Sequence, residues 1–441
     1  MNKLCLRVCA AVLAAALLCS AAGCKNNEKT ESINTYDTAS KVQQTVSVPI
    51  DTDEGKHKDY DTQTAEAYYS YGILVADQDG NKRAMELFVG EEDTAQFYSN
   101  ELNTMKERLG NKVNVYSMVV PTACEYYCPS NYRKDIDSQK NIIDTIGESL
   151  INVQNINVWE TLSNHNAENI YFRSDTRWTP LGAYYAGRIF AKELKSDYPD
   201  ISEYKKKLDK EYIGNMQQFL DYESVDALKI TPDIFTYYEP SVQYKTYYYD
   251  ENFEFLTEGE FFEEVEDSLY ESYFKGGFYS LKITTDAGNG RKLIVVKENA
   301  TNALIPYLFG LFEEIYVVDI DYTEANLVEM IEDFKITDLL YAVTTATATS
   351  TRAYQLETLR SQATHGRLED NATDTEEDTD NNNTEKDTEN EEGKDNTPQY
   401  EYDVGLNNVV SEYVPEENDD YEQYDEGEYY EQYDYDEGEY Y

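Results

Sequence analysis

Residues 292–343 read KLIVVKENATNALIPYLFGLFEEIYVVDIDYTEANLVEMIEDFKITDLLYAV and carry the clearest fold signal in the chain. Three short runs within them, at 292–297, 314–320 and 338–343, are almost continuously apolar and are separated by two segments of helical length. Strands buried on both faces have this composition, and the alternation of strand and helix is typical of a parallel sheet. A fourth run of this kind, VNVYSMVVP, occupies residues 113–121. We therefore predict an α/β fold with a three-layer, doubly wound parallel sheet.

The segments that precede these strands also have recognisable patterns. YGILVADQDGNKRAMELF, at residues 71–88, predicts a β-hairpin with Asp79 and Gly80 at its turn. Residues 91–110 have helical spacing of their apolar side chains and end in a glycine, which is typical of a helix terminus.

Residues from about 200 to 285 are less regular and rich in tyrosine. We expect them to form a side insertion or lid that is packed by aromatic rings. A surface on which sugar rings stack is the alternative interpretation of the same tyrosines.

The amino terminus predicts export. Residues 1–23 have a basic start and an apolar run from Val8 to Cys19, which has the length of a signal peptide. Small residues immediately precede Cys24, as in the sites at which bacterial lipoproteins are cleaved and lipidated. We expect an extracytoplasmic protein, lipid-anchored to the cell membrane through Cys24. Cleavage without lipidation, which would give a secreted protein, and retention as an uncleaved anchor are the alternatives.

The folded part is predicted to span residues 66–365. Residues 24–65 are polar, without a hydrophobic period, and predict a tether between the anchor and the domain.

The formal net charge of −50 excludes ordinary nucleic-acid binding, which needs clustered cations against phosphate. The charge is densest in residues 366–441, where 29 Asp and Glu face three Lys and Arg, a net charge of −26. This tail repeats DEGEYY and has too few aliphatic residues to bury a core, so we predict that it is disordered. It is interpreted as a solvated spacer or as a docking segment for a cationic protein or for diffuse Ca²⁺.

After Cys24 the only cysteines are Cys124 and Cys128, in CEYYC. In an oxidising compartment they could form a local disulfide, and two thiols are the alternative. No histidine or further cysteine lies nearby to complete a zinc site, so we expect no metal and no cofactor.

Residues 174–187, SDTRWTPLGAYYAG, predict a corner between a strand and a helix. Thr179 is placed to cap the helix and Pro180 lies in its first turn. Asp175, Arg177 and Trp178 crowd into this corner, which marks it as a candidate site.

Four blocks resemble the DHHW family, which is similar to the alginate-type O-acetyltransferases of the SGNH hydrolase group. They lie in the family's order between about residues 66 and 345. The blocks are VNVYSMVVPTACEYY (113–127), YFRSDTRWTPLGAYYAG (171–187), SLYESYFKGGFYSLKITT (268–285), and residues 292–322 with ITDLLYAV (336–343). The resemblance implies an SGNH-type sheet with a Ser-His-Asp acyl-transfer site.

The family's corner reads Asp-His-His-Trp, or Asp-Thr-His-Trp in the alginate relatives, and its Asp and second His belong to the triad. Asp175 and Trp178 match this pattern, but Arg177 stands in the position of the histidine. The family's serine lies in a Lys-Asp-Ser-aromatic-Ala-Asn pattern, and here Asn299 takes its place, with Asn302 at the final position.

These two substitutions remove the chemistry of the triad. Arginine stays protonated and cannot accept a proton as a general base, and the amide nitrogen of asparagine is not a nucleophile. A rescue by His165 with Cys124 as nucleophile would require both residues to approach Asp175. Arg177, Trp178, Asn299 and Asn302 could instead line a polar binding cleft. The alternative is an Asp175–Arg177 ion pair that only holds the corner together, with Asn299 capping the following helix.

We therefore expect a DHHW-like protein of the cell envelope that lacks acyl-transfer chemistry and binds or scaffolds a cell-surface polysaccharide. An active O-acetyltransferase or esterase that uses unidentified residues is one alternative. A surface spacer or adhesin that acts through the acidic tail is the other.

Overall fold

The computed structural model describes residues 55–60, 62–70, 72–78, 80–266, 268–274 and 280–363. The predictions about the signal peptide, lipidation of Cys24, most of the tether and the acidic tail lie outside these residues.

The described residues form thirteen strands and nine helices. The strands are β1 Ala67–Ser70, β2 Ile73–Gln78, β3 Asn81–Glu86, β4 Asn114–Val120, β5 Gln154–Asn155, β6 Lys205–Tyr212, β7 Asp233–Glu239, β8 Tyr244–Tyr249, β9 Phe255–Gly259, β10 Ser280–Thr285, β11 Lys292–Lys297, β12 Glu314–Asp319 and β13 Asp338–Thr344. The helices are α1 Glu92–Leu109, α2 Ala123–Tyr127, α3 Gln139–Ser149, α4 Trp159–Asn164, α5 Pro180–Leu194, α6 Tyr222–Lys229, α7 Leu327–Asp333, α8 Thr345–Ala348 and α9 Gln355–Ser361. Short 3₁₀ segments lie at Arg133–Asp135, Ile201–Glu203, Asn215–Phe219, Leu269–Ser272, Asn299–Leu311 and Thr351–Tyr354.

The main sheet has eight strands in the order β5-β4-β13-β11-β12-β10-β8-β9. The pairs from β5 to β12 are parallel, which confirms the predicted α/β class and the four strands that were identified from apolar runs. The pairs β12–β10, β10–β8 and β8–β9 are antiparallel, so the sheet is mixed rather than purely parallel.

Three layers follow from the alternation of side chains along each strand. In β11, Leu293 and Val295 pack on one face with α5 and the 3₁₀ segment Asn299–Leu311. Ile294 and Val296 pack on the opposite face with α1, α7 and α9. Each strand face is therefore covered by helical turns, and both sets of side chains are fully buried.

The expected insertion at about 200–285 proves to have two parts. Residues 205–239 form a separate antiparallel pair, β6–β7. Strands β8 to β10, between residues 244 and 285, extend the main sheet, so the prediction of a side insertion is wrong for this part. Tyr247 and Tyr249 in β8 pack on one face of the sheet and Tyr248 packs on the other, an alternation that the run of tyrosines concealed.

The hairpin and the first helix are confirmed at β2–β3 and α1. Helix α1 ends at Leu109 and is capped by Gly110, whose φ of +60° favours glycine. The expected helix after β11 is instead a run of 3₁₀ turns, Asn299–Leu311, with Pro306 inside it. Proline removes a backbone donor and its ring clashes with an α-helical carbonyl, which explains the departure from α-helical geometry.

The predicted tether ends earlier than residue 65, because residues from Lys56 onward hydrogen-bond to the domain. The Ala167 amide donates to the Lys56 carbonyl (2.8 Å) and the Ser130 amide donates to the Gln63 carbonyl (2.8 Å). The described part of the chain contains no helix that is both long and apolar enough to cross a membrane.

Cys124 and Cys128 are not joined, so the structure contradicts the disulfide. They lie one turn apart along α2, where the Cys128 amide donates to the Cys124 carbonyl (3.1 Å). Side chains at this spacing share a face of the helix, but their β-carbons are about 5–6 Å apart, farther than the roughly 4 Å that a disulfide needs. The side-chain Nε2 of Gln139 donates to Cys124 Sγ (3.3 Å), and burial raises the pKa of this thiol to about 12.

We expect a thiol titration of the denatured chain from Lys25 onward, without reductant, to detect two thiols. The native protein should react much more slowly because both side chains are buried. A yield of no thiols after denaturation would contradict the reduced pair.

Candidate functional site

The candidate site lies at the carboxyl edge of the parallel strands, where α/β sheets commonly hold their ligands. Asn299 follows the end of β11 by two residues. The corner at residues 174–178 leads into α5. The predicted start of this helix is confirmed: the Thr179 side chain accepts from the Gly182 amide (3.2 Å), and Pro180 is the first helical residue.

Asp175 and Arg177 form a bidentate ion pair at this corner. Arg177 Nε donates to Asp175 Oδ1 (2.6 Å) and Arg177 Nη2 donates to Asp175 Oδ2 (2.7 Å). The carboxylate also accepts from the Tyr212 hydroxyl (2.5 Å) and the Asn215 amide (2.9 Å). Asp175 is 0% exposed, so its charge is balanced entirely by protein groups.

Arg177 also connects the corner to the turn after β11. Its Nη1 donates to Asn299 Oδ1 (3.0 Å), and its Nη2 donates to the Tyr212 hydroxyl (3.1 Å). The guanidinium carbon lies 3.8 Å from the centre of the Tyr270 ring, a cation–π contact. The structure therefore brings the three residues at the positions of the family triad into one connected cluster.

The charges in this cluster are fixed at neutral pH. Burial alone would raise the pKa of Asp175, but the charge of Arg177 and the surrounding hydrogen bonds outweigh it and lower that pKa. Burial would lower the pKa of Arg177, but the facing carboxylate raises it well above the ordinary value. Arg177 therefore cannot release a proton to act as a base.

Trp178 and Asn302, two predicted binding residues, lie deeper. Trp178 is 2% exposed and packs in the core, so its ring faces protein instead of an open cleft. Asn302 is 0% exposed, and neither of its side-chain amide atoms has a hydrogen-bond partner among the described residues. Asn299 does not cap the 3₁₀ segment, because the cap position belongs to Glu298.

The residues considered as a rescue of catalysis lie away from Asp175. His165 stacks on Tyr185 (3.6 Å between ring centres) and its Nδ1 pairs with Glu168 Oε1 (2.8 Å). Cys124 contacts Thr122 and Gln139. Between the described residues, no hydrogen bond, ion pair or ring contact joins either side chain to Asp175 or Arg177.

Charged side chains flank the site along the sheet edge. Lys297 pairs with Asp319 across the ends of β11 and β12, and both are buried. Arg352 Nη1 donates to Glu298 Oε2 (2.9 Å), and its Nη2 pairs with Asp321. Among the described residues, no group of three or more His, Cys, Asp or Glu is arranged to hold a metal ion.

Sequence reasoning missed Tyr212, Tyr270 and Glu86. Tyr212 and Tyr270 belong to the tyrosine-rich region, and nothing in their local sequence distinguishes them from the packing tyrosines. Glu86 is the last residue of β3. Burial and the negative charges of Asp175 and Glu298 raise the pKa of Glu86 to about 7.

We predict that Gly214→Ala disrupts the corner. A β-carbon at position 214 would lie 2.3 Å from Asp175 Cβ, so the fully bonded carboxylate would have to move. The loss should be about 2 kcal/mol in the free energy of unfolding, measured by urea denaturation. Gly310→Ala is the matched control, because its β-carbon would meet only Val242 at 3.7 Å. Equal stability of the two variants would contradict the close packing at Asp175.

We also predict a pH dependence of stability that comes from Glu86. The folded-state pKa of Glu86 is about 7, above the ordinary value of 4.5. At a pH between these two values, the carboxyl group is therefore protonated in the folded state and ionised in the unfolded state. Stability should therefore fall as pH rises through this window, by about 2 kcal/mol after allowance for partial exposure.

The measurement compares Glu86→Gln with the wild type by urea denaturation at pH 5 and pH 8. The free energy of unfolding of the variant, relative to that of the wild type, should be higher at pH 8 than at pH 5. Glu107→Gln, at an exposed position on α1, should show no such shift. A Glu86→Gln variant with the pH profile of the wild type would contradict the raised pKa.

Comparisons with known proteins identify the family of the chain. The DHHW protein family model matches residues 81–318, which is more than half of the chain. A crystal structure of a DHHW family protein from Eubacterium siraeum is similar to this chain with 35% identity and a TM-score of 0.64, over 67% of this chain and 98% of that one. No curated protein matches.

Two more distant structures are also similar to this chain, and the first of them, with a TM-score above 0.5, shares its fold. Bacillus cereus PatB1 with a sulfonyl adduct has 16% identity and a TM-score of 0.51, over 66% of this chain and 98% of that one. The O-acetyltransferase domain of Pseudomonas putida AlgJ has 12% identity and a TM-score of 0.37, over 66% of this chain and 99% of that one. The resemblance based on four sequence blocks is thereby confirmed, and the chain belongs to the DHHW family.

Proposed function

We propose that this DHHW protein binds a cell-surface polysaccharide, or scaffolds its modification, without catalysing acyl transfer. The observation that carries the proposal is the contact of Arg177 with both Asp175 and Asn299. A cation and an amide occupy the positions at which the family's chemistry requires a base and a nucleophile.

Acyl transfer through a serine, histidine and aspartate depends on all three groups together. Loss of one member can lower turnover on the order of a million-fold, and here two are replaced. The remaining aspartate gives no reactivity, because Asp175 accepts hydrogen bonds from Arg177, Tyr212 and Asn215. Thr301, the hydroxyl residue nearest to Asn299 in the sequence, is buried and donates to the Ala342 carbonyl (2.9 Å).

Ligand binding remains chemically available at the same place. The guanidinium of arginine has five N–H donors, and the four contacts that Arg177 makes to Asp175, Asn299 and Tyr212 leave one donor on Nη1. Asn299 accepts through Oδ1 and is partly exposed, so its amide nitrogen can donate to a ligand. Sugar hydroxyls and carboxylates accept from such donors.

The cellular setting is part of the proposal. The signal-like residues 1–23 and Cys24 support export and lipid anchoring, and the dense negative charge argues against nucleic acid as partner. A lipid anchor would hold the cleft close to the envelope polysaccharides.

The test measures acetate release from an activated acetyl ester by the chain from Lys25 onward, beside an Arg177→His plus Asn299→Ser variant. We expect background release from the parent and an increase of roughly tenfold or more from the variant, because the variant restores a base and a nucleophile around Asp175. Arg177→Gln plus Asn299→Ser is the matched control, since it restores the hydroxyl without the base.

Turnover by the parent well above background would contradict the non-catalytic assignment. It would favour an active O-acetyltransferase or esterase that uses other residues.

A further inference from the structure

A cleft opens between α2, α4 and the residues that precede β1. This α4 cleft is lined by residues from the ranges 57–60, 125–126, 133–140 and 159–166. Its volume is about 750 Å³, within the range of roughly 300–1,000 Å³ in which proteins hold small ligands. None of the lining residues belongs to the Arg177 cluster, so the cleft is a separate candidate site.

Trp159 forms a fixed aromatic wall of the α4 cleft. Its side chain is partly exposed, and its Nε1 donates to Glu125 Oε1 (2.8 Å). Glu125 is held in turn, because its carboxylate also accepts from the backbone amides of Gln139 (3.0 Å) and Lys140 (3.3 Å) at the start of α3. The ring orientation of the indole is therefore set before a ligand arrives. A ring that is already ordered loses little conformational entropy when it is covered.

Two tyrosines extend the aromatic surface of the cleft. The ring of Tyr126 lies 6.2 Å from that of Trp159 between centres, and its hydroxyl donates to the Trp159 carbonyl (3.1 Å). Tyr60, from the chain before β1, packs edge-on against Tyr127 with 5.2 Å between ring centres. Aromatic faces suit the apolar C–H face of a pyranose ring, whose hydroxyl groups then point to polar groups at the edge.

The walls of the cleft are held together by hydrogen bonds. Lys58 and Asn166 exchange two of them, from the Lys58 amide to Asn166 Oδ1 (2.7 Å) and from Asn166 Nδ2 to the Lys58 carbonyl (2.8 Å). His57 Nδ1 contacts the Ser163 carbonyl (2.8 Å). The chain before β1 is thereby fixed to the end of α4, and the cleft is formed without a ligand.

The charges around the α4 cleft nearly cancel. Three cationic and four acidic residues line it, namely Lys58, Arg133, Lys140, Asp59, Glu125, Asp137 and Glu160. A site for a phosphate or another polyanion needs a surplus of cations, which is missing here. A lipid or another apolar ligand needs an apolar lining, whereas Ile136 is the one aliphatic residue among the described residues that line the cleft.

The lining therefore suits a neutral ligand with many hydroxyl groups. The ammonium group of Lys140 lies 5.3 Å from the centre of the Trp159 ring and pairs with Asp144 (2.5 Å), so a donor is held beside the aromatic wall. Ser163 and Asn164, at the end of α4, add groups that both donate and accept. Aromatic faces with mixed donors and acceptors around them match the two sides of a sugar ring.

We propose that the α4 cleft binds a neutral pyranose oligosaccharide, with one sugar ring stacked against the indole of Trp159. The hydroxyls of this sugar hydrogen-bond to the polar groups around the ring, those of Lys140 and Asn164 among them. The inference rests on the proposed polysaccharide-binding function. It adds a binding site outside the Arg177 cluster and names the class of sugar.

The experiment measures binding to the chain from Lys25 onward by calorimetry, at neutral pH and physiological salt. The neutral probes are cellohexaose, β-1,4-mannohexaose and chitohexaose at millimolar concentrations, and hexagalacturonate is the acidic probe. The protein variants are Trp159→Ala and Trp159→Phe. Tyr222→Ala is the matched control, because Tyr222 is 78% exposed and lies outside the cleft.

We expect the wild type and Tyr222→Ala to bind at least one neutral probe with the same affinity. Trp159→Ala should lose roughly tenfold or more in affinity for that probe, because the stacking surface is gone. Trp159→Phe should retain most of the affinity. Both variants lose the hydrogen bond to Glu125, so their difference isolates the contribution of the ring. Circular dichroism spectra show whether the variants are folded.

Tryptophan fluorescence provides a second measurement on the unmodified protein. The chain has two tryptophans, and Trp178 is only 2% exposed, so acrylamide quenches mainly Trp159. A saturating neutral probe should protect this fluorescence from quenching. If Trp159→Ala does not fold, the protection decides the question, and its absence would contradict stacking on Trp159.

Failure of all three neutral probes to bind, or an unchanged affinity of folded Trp159→Ala, would overturn the inference. Tighter binding of hexagalacturonate than of every neutral probe would also overturn it. If a neutral probe binds and Arg177→Gln abolishes the binding while Trp159→Ala does not, the inference fails and the proposed polysaccharide-binding function stands. The absence of catalysis is tested independently by acetate release, so the two proposals fail separately.

Discussion

The carboxylate of Asp175 has no exposed surface, and the guanidinium of Arg177 supplies the charge that allows it to remain there. An isolated buried carboxylate would be neutralised or expelled, whereas a bidentate arginine satisfies both oxygens with planar geometry. The same guanidinium rests on Tyr270 and reaches Asn299, so one side chain joins the corner before α5, the tyrosine-rich region and the turn after β11. The site is thus a structural junction between three parts of the chain.

Much of the sheet could be predicted because its strands are buried on both faces. An apolar run such as 292–297 has few alternatives to a central strand, and the helical segments between the runs specify parallel connections. Strands β8 to β10 were not predicted. In β8, for example, the run of tyrosines at 247–249 has no polar–apolar alternation that distinguishes a strand from a loop. Pro306 likewise changed an expected helix into 3₁₀ turns.

The site was only partly predictable. The approach of Arg177 to Asn299 could be expected from the family resemblance, because it depends on two blocks 122 positions apart whose order is shared. Tyr212 and Glu86 could not be expected in the same way. Their roles arise from tertiary proximity to Asp175, and a glutamate at the end of a hairpin strand reads as a solvated residue in sequence alone. The disulfide prediction failed for a related reason, since the one-turn helix α2 sets the orientation of both cysteines.

A double-mutant cycle at Asp175 and Arg177 tests most directly whether their ion pair holds the corner. The free energy of unfolding would be measured for Asp175→Asn, Arg177→Gln and the double variant. We expect each single variant to lose about 3 kcal/mol, because each leaves a buried charge without its partner, and the double variant to lose much less than the sum. Losses that add up in the double variant would contradict the ion pair as the centre of this site.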